Sequence, residues 1–339
     1  MPELFPEVVL SARAPFDFAS TARFLRFTDV EAVDTFTDAS AGGLYRRAIH
    51  FAERIFLLSV EPGGTAVRPT VRLKLAPGRF VTPHILDEAA SVVRDIFSLE
   101  QDLAVWRARL ARDPLMRQLE TEHQGLHLPR WPSLFEALVT SVLLQQIATS
   151  VAITFRRRVV EHYGERLERD GATYFAFPRA AAISRASVEK LRALGLSNAK
   201  AACIIEVARA CEEGELSSAS LAREDNETVI ARLSSLRGIG RWTAEWVLML
   251  HFGRLDVFPA ADLFLRGVVI KYYNRGASMS EREIRAFAAK RWGAHQSYSA
   301  LYFLAGMRAG TITLKPERVL SSNERAAKPT QRTQKKTTD

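Results

Sequence analysis

The residues best equipped for chemistry fall within one short span. "LRGIGRWTAEWVL" (Leu236–Leu248) sets two glycines one residue apart between a polar helical run and an apolar one. "VFPAADLFL" follows, with a carboxylate at Asp262 just ahead of another apolar run. Paired glycines permit a tight hairpin whose backbone approaches another surface without Cβ clashes. A helix that starts directly after such a turn directs its free N–H groups and positive dipole end outward, which suits a phosphate. A dinucleotide fingerprint would need a preceding strand and a third glycine. Here a helical pattern precedes and Thr243 stands third, so that chemistry is excluded. From the turn alone, a plain helix–helix connection competes with a grip on a nucleic-acid backbone. Asp262 reads locally as an N-cap of "LFLRGVVIKYY", a position that also fixes the direction of its carboxylate.

Composition bounds what these residues serve. The chain has 339 residues, enough for two domains or one large one with a substantial core, at 47% hydrophobic and 25% charged. Net charge is +9, which favours anionic partners, nucleic acid ahead of a membrane surface. Ser321–Asp339 holds five basic and two acidic residues, so +3 of that charge belongs to the tail. No apolar stretch approaches the ~20 residues that span a bilayer. The N-terminus lacks a basic segment ahead of an apolar one, so a secretory signal is not expected and cytoplasmic residence is the default. Cys203 and Cys211, eight apart on a helical pattern, read as small buried hydrophobes.

The elements that must position the site separate into two styles. In the first hundred residues "RIFLLSV" ends at the turn "EPGG", and "TVRLKL" (Thr70–Leu75) alternates with period two. A helix is predicted from about Asp87. From about Pro114 to Pro316 the pattern is helical almost throughout. "SLFEALVTSVLLQQIATSVAITFRRRVVEHYG" opens with Ser133 as N-cap and Glu136 placed as in a capping box, and runs to Gly164. Helices ending at Gly195 and Gly214 follow, then "NETVIARLSSL" before the glycine pair, and another from Ser280. We assign residues 1–112 to an α+β domain, 113–320 to a helical domain and 321–339 to a basic tail with the composition of disorder.

The hairpin and Asp262, taken in order with "PFDFASTARFL", "GLHLPRWPSLFEALVTSVLLQQIATSVA", "YGERL", "FAFP", "LRALGLSNAKAACI", "EGEL" and "RWGAHQSYSALYFL", resemble the helix-hairpin-helix DNA glycosylases, specifically the bacterial 3-methyladenine DNA glycosylase II branch. The resemblance runs from about Pro15 to Leu304. It implies a mainly α fold: a helix-hairpin-helix core of two helical subdomains, an N-terminal α+β domain with a mixed sheet, and an active site in the cleft between subdomains. It makes Asp262 the carboxylate that stabilises the cationic sugar as a base leaves and orients or deprotonates the attacking water. Trp242 stands where strand-cutting relatives carry a Schiff-base lysine. It offers instead an electron-rich face for a cationic alkylpurine, the competing reading being a core tryptophan. Trp246 and Phe24 match other pocket aromatics. Ile147 matches the minor-groove wedge and Gln146 the residue facing the widowed base, against the sober reading of Ile147 as core. Arg237, Gly238, Ile239, Gly240, Arg241 and Thr243 form the DNA-gripping hairpin, with carbonyls of Leu236, Gly238 and Ile239 able to hold a monovalent cation.

Ala261 replaces an acid often seen beside the catalytic carboxylate, and Leu263 and Leu304 stand where aromatics are common, leaving the preference among alkylated bases, hypoxanthine and ethenoadenine open. The iron–sulfur cysteine quartet of the endonuclease III branch is absent, so no cofactor and no catalytic metal are expected. The implied enzyme is a monofunctional glycosylase, acting as a monomer on duplex DNA carrying alkylated bases, with no membrane or protein partner. The rivals are a non-catalytic DNA-binding module and an oxidised-base glycosylase/lyase. The Trp242 position separates the last of these: borohydride added during turnover should trap no covalent protein–DNA adduct, and a stable adduct would show an amine nucleophile.

Overall fold

A computed structural model describes residues 6–25, 33–38 and 42–314, so the basic segment 321–339 lies outside the described residues. Strands β1 (Glu7–Ser11), β2 (Asp34–Thr37), β3 (Leu44–Phe51), β4 (Arg54–Thr65) and β5 (Arg68–Ala76) form a sheet in the order β1-β5-β4-β3-β2. Every pairing is antiparallel, which corrects the mixed sheet expected. The cause is connection length: β3–β4 and β4–β5 are joined by the two-residue turns Ala52–Glu53 and Ala66–Val67, which can only return the chain antiparallel. "EPGG" is therefore part of β4 and not its end. Gly64 lets the paired backbones close, since a Cβ there would meet the Arg68 carbonyl at 2.2 Å.

The first long helix begins at Pro83, earlier than Asp87. The Thr82 side chain accepts from the Ile85 N–H, and proline occupies a first-turn position that needs no donor. Its Ala89, Ala90, Val93 and Ile96 pack on Leu10, Tyr45, Phe56, Leu58, Val71 and Leu73 of the sheet, forming a first hydrophobic core. A second, larger core unites the helices from Ala104 to Ala309.

Two departures from the helical pattern matter. The run from Ser133 to Gly164 is two helices, Leu134–Leu144 and Thr149–Tyr163, broken at residues 145–148. No Gly or Pro marks the break; Gln146 simply adopts φ +56°. The second departure is an antiparallel ribbon, Arg166–Arg169 with Ala172–Phe175. Asp170 and Gly171 turn it with φ of +52° and +74°, the Asp-Gly hairpin chemistry overriding the surrounding helical composition. The ribbon brings Ala176 beside Ala48 of β3 as an isolated parallel bridge between the two parts of the chain.

A buried ionic cluster joins the same parts. Arg47 donates to Asp34 at 2.7 Å and to Glu136, while Arg156 donates to Glu136 at 2.5 Å and to the Thr140 hydroxyl at 3.1 Å. All four charged side chains are excluded from water, two of each sign. Ser133 caps its helix as expected, but Glu136 does not complete the capping box, because its carboxylate is committed to the two guanidinium groups. Such a cluster stabilises only while complete, since removing one member strands a buried charge. Arg47→Met should lower unfolding free energy by about 3–5 kcal/mol in denaturant titration. A loss under ~0.5 kcal/mol, the scale of an ordinary surface site, would mean the cluster is hydrated.

Candidate active site and nucleic-acid interface

Asp262 caps the helix Leu263–Val268. Its Oδ1 accepts from the backbone N–H of Phe264 at 3.0 Å and Leu265 at 3.1 Å, while Oδ2 accepts from the Trp242 indole N–H at 3.3 Å. One oxygen is thus held by its own helix and the other by the hairpin helix Arg241–Leu250. Asp262 is half-buried, and Leu263 beside it is 81% exposed, so the carboxylate sits at an open lip. The loop that delivers it is anchored from the last helix, Gln296–Ala309. The Ser297 hydroxyl lies 2.7 Å from the Arg254 carbonyl and 2.8 Å from that of Val257, its N–H donates to Leu255, and Gln296 donates to Asp256.

Trp242 and Trp246, one turn apart, are both half-buried and meet edge to face with ring centroids 6.2 Å apart. Trp242 is thus at the surface of the core beside Asp262, and not inside it. Trp246 packs against the core, and its indole N–H is buried without a partner among the described residues. Phe24 is placed differently: it is 7% exposed within the helical core, and the Arg308 guanidinium covers its ring at 4.1 Å from the centroid. That face is not open to a base. Leu304 is half-buried against the same core.

The hairpin turns at Gly238, φ +91°, where a Cβ would press the Cys203 side chain at 3.1–3.2 Å. Gly240, φ −109°, is the N-cap of Arg241–Leu250 and supplies no side-chain cap; a Cβ there would meet nothing within 4 Å. The N–H groups of that first turn consequently remain available. Hairpin side chains divide sharply. Arg237 is exposed, and among the described residues its guanidinium has no ion-pair partner. Arg241 is matched by Glu227 and by Glu245, the latter also held by Arg285 at 2.8 Å. Ile239 and Thr243 are buried, so neither side chain reaches an outside surface. Of the carbonyls named for a cation, that of Leu236 accepts from the Ile239 N–H and that of Gly238 from Gln145.

In the broken helix, Gln146 is exposed and Ile147 half-buried outside the helical core, which removes the core reading of Ile147. Two residues that the sequence reading passed over sit at the loop's root. Gln145 bonds the hairpin, and Lys200 Nζ donates to the carbonyls of Leu143 at 2.7 Å and Gln145 at 2.8 Å. Burial of Lys200 lowers its pKa. The doubled glutamine and the "SNAK" lysine were the available signals, but neither specifies a partner in another element.

An uncapped glycine hairpin, a carboxylate at a helix N-cap and two surface tryptophans thus meet in one candidate site. Residues 139–294 match the HhH-GPD superfamily base excision DNA repair protein model, and residues 7–133 match the AlkA N-terminal domain. The chain is 31% identical over 216 residues to a DNA-3-methyladenine glycosylase of Bacillus subtilis, covering 64% of this chain and 71% of that one. It is 28% identical over 293 residues to DNA-3-methyladenine glycosylase 2 of Escherichia coli, covering 86% and 95%. Among solved structures, the 3-methyladenine DNA-glycosylase from Archaeoglobus fulgidus superposes with TM-score 0.75 at 26% identity, covering 91% and 100%. This chain belongs to the HhH-GPD superfamily of base excision DNA repair proteins.

The two hairpin glycines should behave differently on substitution. Gly238→Ala forces a side chain into a left-handed conformation against Cys203 and should cost about 1–2 kcal/mol in thermal or denaturant unfolding. Gly240→Ala should leave unfolding within ~0.5 kcal/mol, as at an ordinary surface site, yet weaken binding to duplexes of every sequence alike. A sequence-selective loss would contradict backbone recognition by the hairpin.

Proposed function

We propose that the protein is a monofunctional DNA glycosylase that removes alkylated bases, such as 3-methyladenine and 7-methylguanine, from duplex DNA as a monomer and leaves an abasic site. The observation that carries this reading is the Asp262 carboxylate, clamped between its own helix N-terminus and Trp242 at an open lip. A purely structural cap would not need a second element to fix its other oxygen.

The uncapped first turn after Gly240 binds backbone phosphate through N–H groups, with exposed Arg237 adding charge. Turning a base out of the duplex costs a few kcal/mol of pairing and stacking. Ile147 fills the vacated space through the minor groove while Gln146 faces the unpaired partner, offsetting that cost. Stacking falls to Trp242 and Trp246, because Phe24 is already covered by Arg308. An alkylated purine carries positive charge, and an indole face binds it with a cation–π component.

As the bond from C1′ to the base nitrogen breaks, its electron pair leaves with the base and positive charge grows on the sugar. Asp262 faces that charge and stabilises it electrostatically. Water then bonds to C1′ and loses its proton to the carboxylate, giving the abasic sugar and the free base. No amine stands at Trp242, so no Schiff base forms and the strand stays intact.

The test is Asp262→Asn. Asparagine caps helices as well as aspartate, so the bonds from Phe264 and Leu265 survive. Only the contact from Trp242 is lost, a cost of about 1 kcal/mol in stability. Removing the charge forfeits about 3–4 kcal/mol of transition-state stabilisation, a rate loss of roughly a hundred- to a thousand-fold. Excision of hypoxanthine, a neutral base, should suffer more than excision of cationic 3-methyladenine. A folded Asn variant that binds an abasic-site analogue and excises both at the wild-type rate would reduce Asp262 to a helix cap.

A further inference from the structure

Gln145 is the last residue before the chain leaves its helix, with φ −59° and ψ 127°. A carboxamide carries two N–H donors. Both are used here, one on the Gly238 carbonyl and one on the Thr243 hydroxyl, each at 2.9 Å. Gly238 is the left-handed residue of the hairpin, and Thr243 directly follows Trp242. One side chain therefore bridges the root of the 145–148 loop to both ends of the phosphate-facing turn.

Among the described residues, the loop's own neighbours in sequence supply little else: the Gln145 N–H donates to the Val142 carbonyl at 3.3 Å. The helix after it starts from Ala148, which cannot cap. Gln146 has φ +56°, in the left-handed region that residues other than glycine, asparagine and aspartate rarely adopt. The loop tip is open, with Gln146, Ala148 and Thr149 exposed. Its root is clamped from two sides, by Gln145 on the hairpin and by Lys200 on the carbonyls of Leu143 and Gln145.

We propose that Gln145 is a positioning residue that couples the duplex-probing loop to the backbone-gripping hairpin. Driving a side chain between stacked bases produces an equal push back on the loop. With the bridge intact, that push is transmitted to the hairpin and so to the strand it holds; without it, the loop yields and the base stays stacked. The inference rests on the reading of Ile147 as the wedge. It assigns Gln145 a role only when pairing and stacking must be broken.

The experiment compares single-turnover excision of one alkylated base placed opposite its pairing partner and opposite an abasic position. Gln145→Met preserves length and removes both donors. It should lower the paired-to-unpaired rate ratio about tenfold, the scale of the lost hydrogen bonds, with binding to undamaged duplex unchanged. Gln145→Glu supplies a second readout. Its ionised carboxylate cannot donate to Gly238, so the defect should be full at mildly alkaline pH. As pH falls through the carboxyl range, an O–H donor returns and the ratio should climb toward that of the wild type measured at the same pH. Equal slowing in both contexts, an unchanged Met variant, or a Glu defect that ignores pH would each overturn the coupling. Ile147→Ala, assayed in parallel, tells the two readings apart. If it lowers the ratio and the Gln145 variants do not, only the coupling fails; if none does, the wedge reading fails and takes the coupling with it.

Discussion

Everything at this site depends on how one carboxylate is held. Asp262 accepts from two backbone N–H groups of its own helix and from the indole of Trp242, so each oxygen has a fixed direction before any ligand arrives. A charge used electrostatically works best when no reorganisation is needed at the moment of reaction. The two restraints come from different elements, and hence the hairpin helix and the Asp262 loop must keep their separation. That separation is maintained by the last helix, whose Ser297 and Gln296 grip the carbonyls at Arg254–Val257. The hairpin helix is in turn tied by the buried Glu245 to Arg285.

The same economy shows in the charges. A chain of net charge +9 would be expected to meet DNA with a field of basic side chains. At the hairpin, however, Arg241 is neutralised by Glu227 and Glu245, and Thr243 and Ile239 face inward. What remains outward is the Arg237 guanidinium and backbone: N–H groups at a helix start with no side-chain cap. Backbone donors bind phosphate without reading bases, which fits a protein that must survey any sequence for damage. The glycines serve this directly, Gly238 by permitting the turn beside Cys203 and Gly240 by leaving space above the N–H groups.

The N-terminal sheet is more than an appendage to this machinery. The cluster of Asp34, Arg47, Glu136 and Arg156 fixes the sheet to the helix Leu134–Leu144, the helix whose end launches the 145–148 loop. Because the cluster is dry, its members hold one another in a single arrangement, and a partial set would be costlier than none. Phe24, covered by Arg308 from the last helix, adds a further junction between the parts.

Sequence alone determined whatever depends on three or four consecutive residues. The caps at Ser133 and Asp262, the helix start at Ser280, the glycine stops at Gly195 and Gly214 and the hairpin at Gly238 were all legible, because each is set by local backbone geometry. The ordered motifs extended that legibility to the family. The Asp-Gly ribbon turn was legible too and was lost in the helical composition around it. Tertiary structure decided where the side chains of those same elements point. Glu136 left its capping box for Arg47, 89 residues away; the long helix broke at Gln146 without Gly or Pro; and Arg308 covered Phe24 from 284 residues away. A backbone bond spans a fixed number of residues and so leaves a sequence signature. A buried charge or ring takes whichever partner packing brings to it, and that choice is made only when the helices and the sheet close on one another.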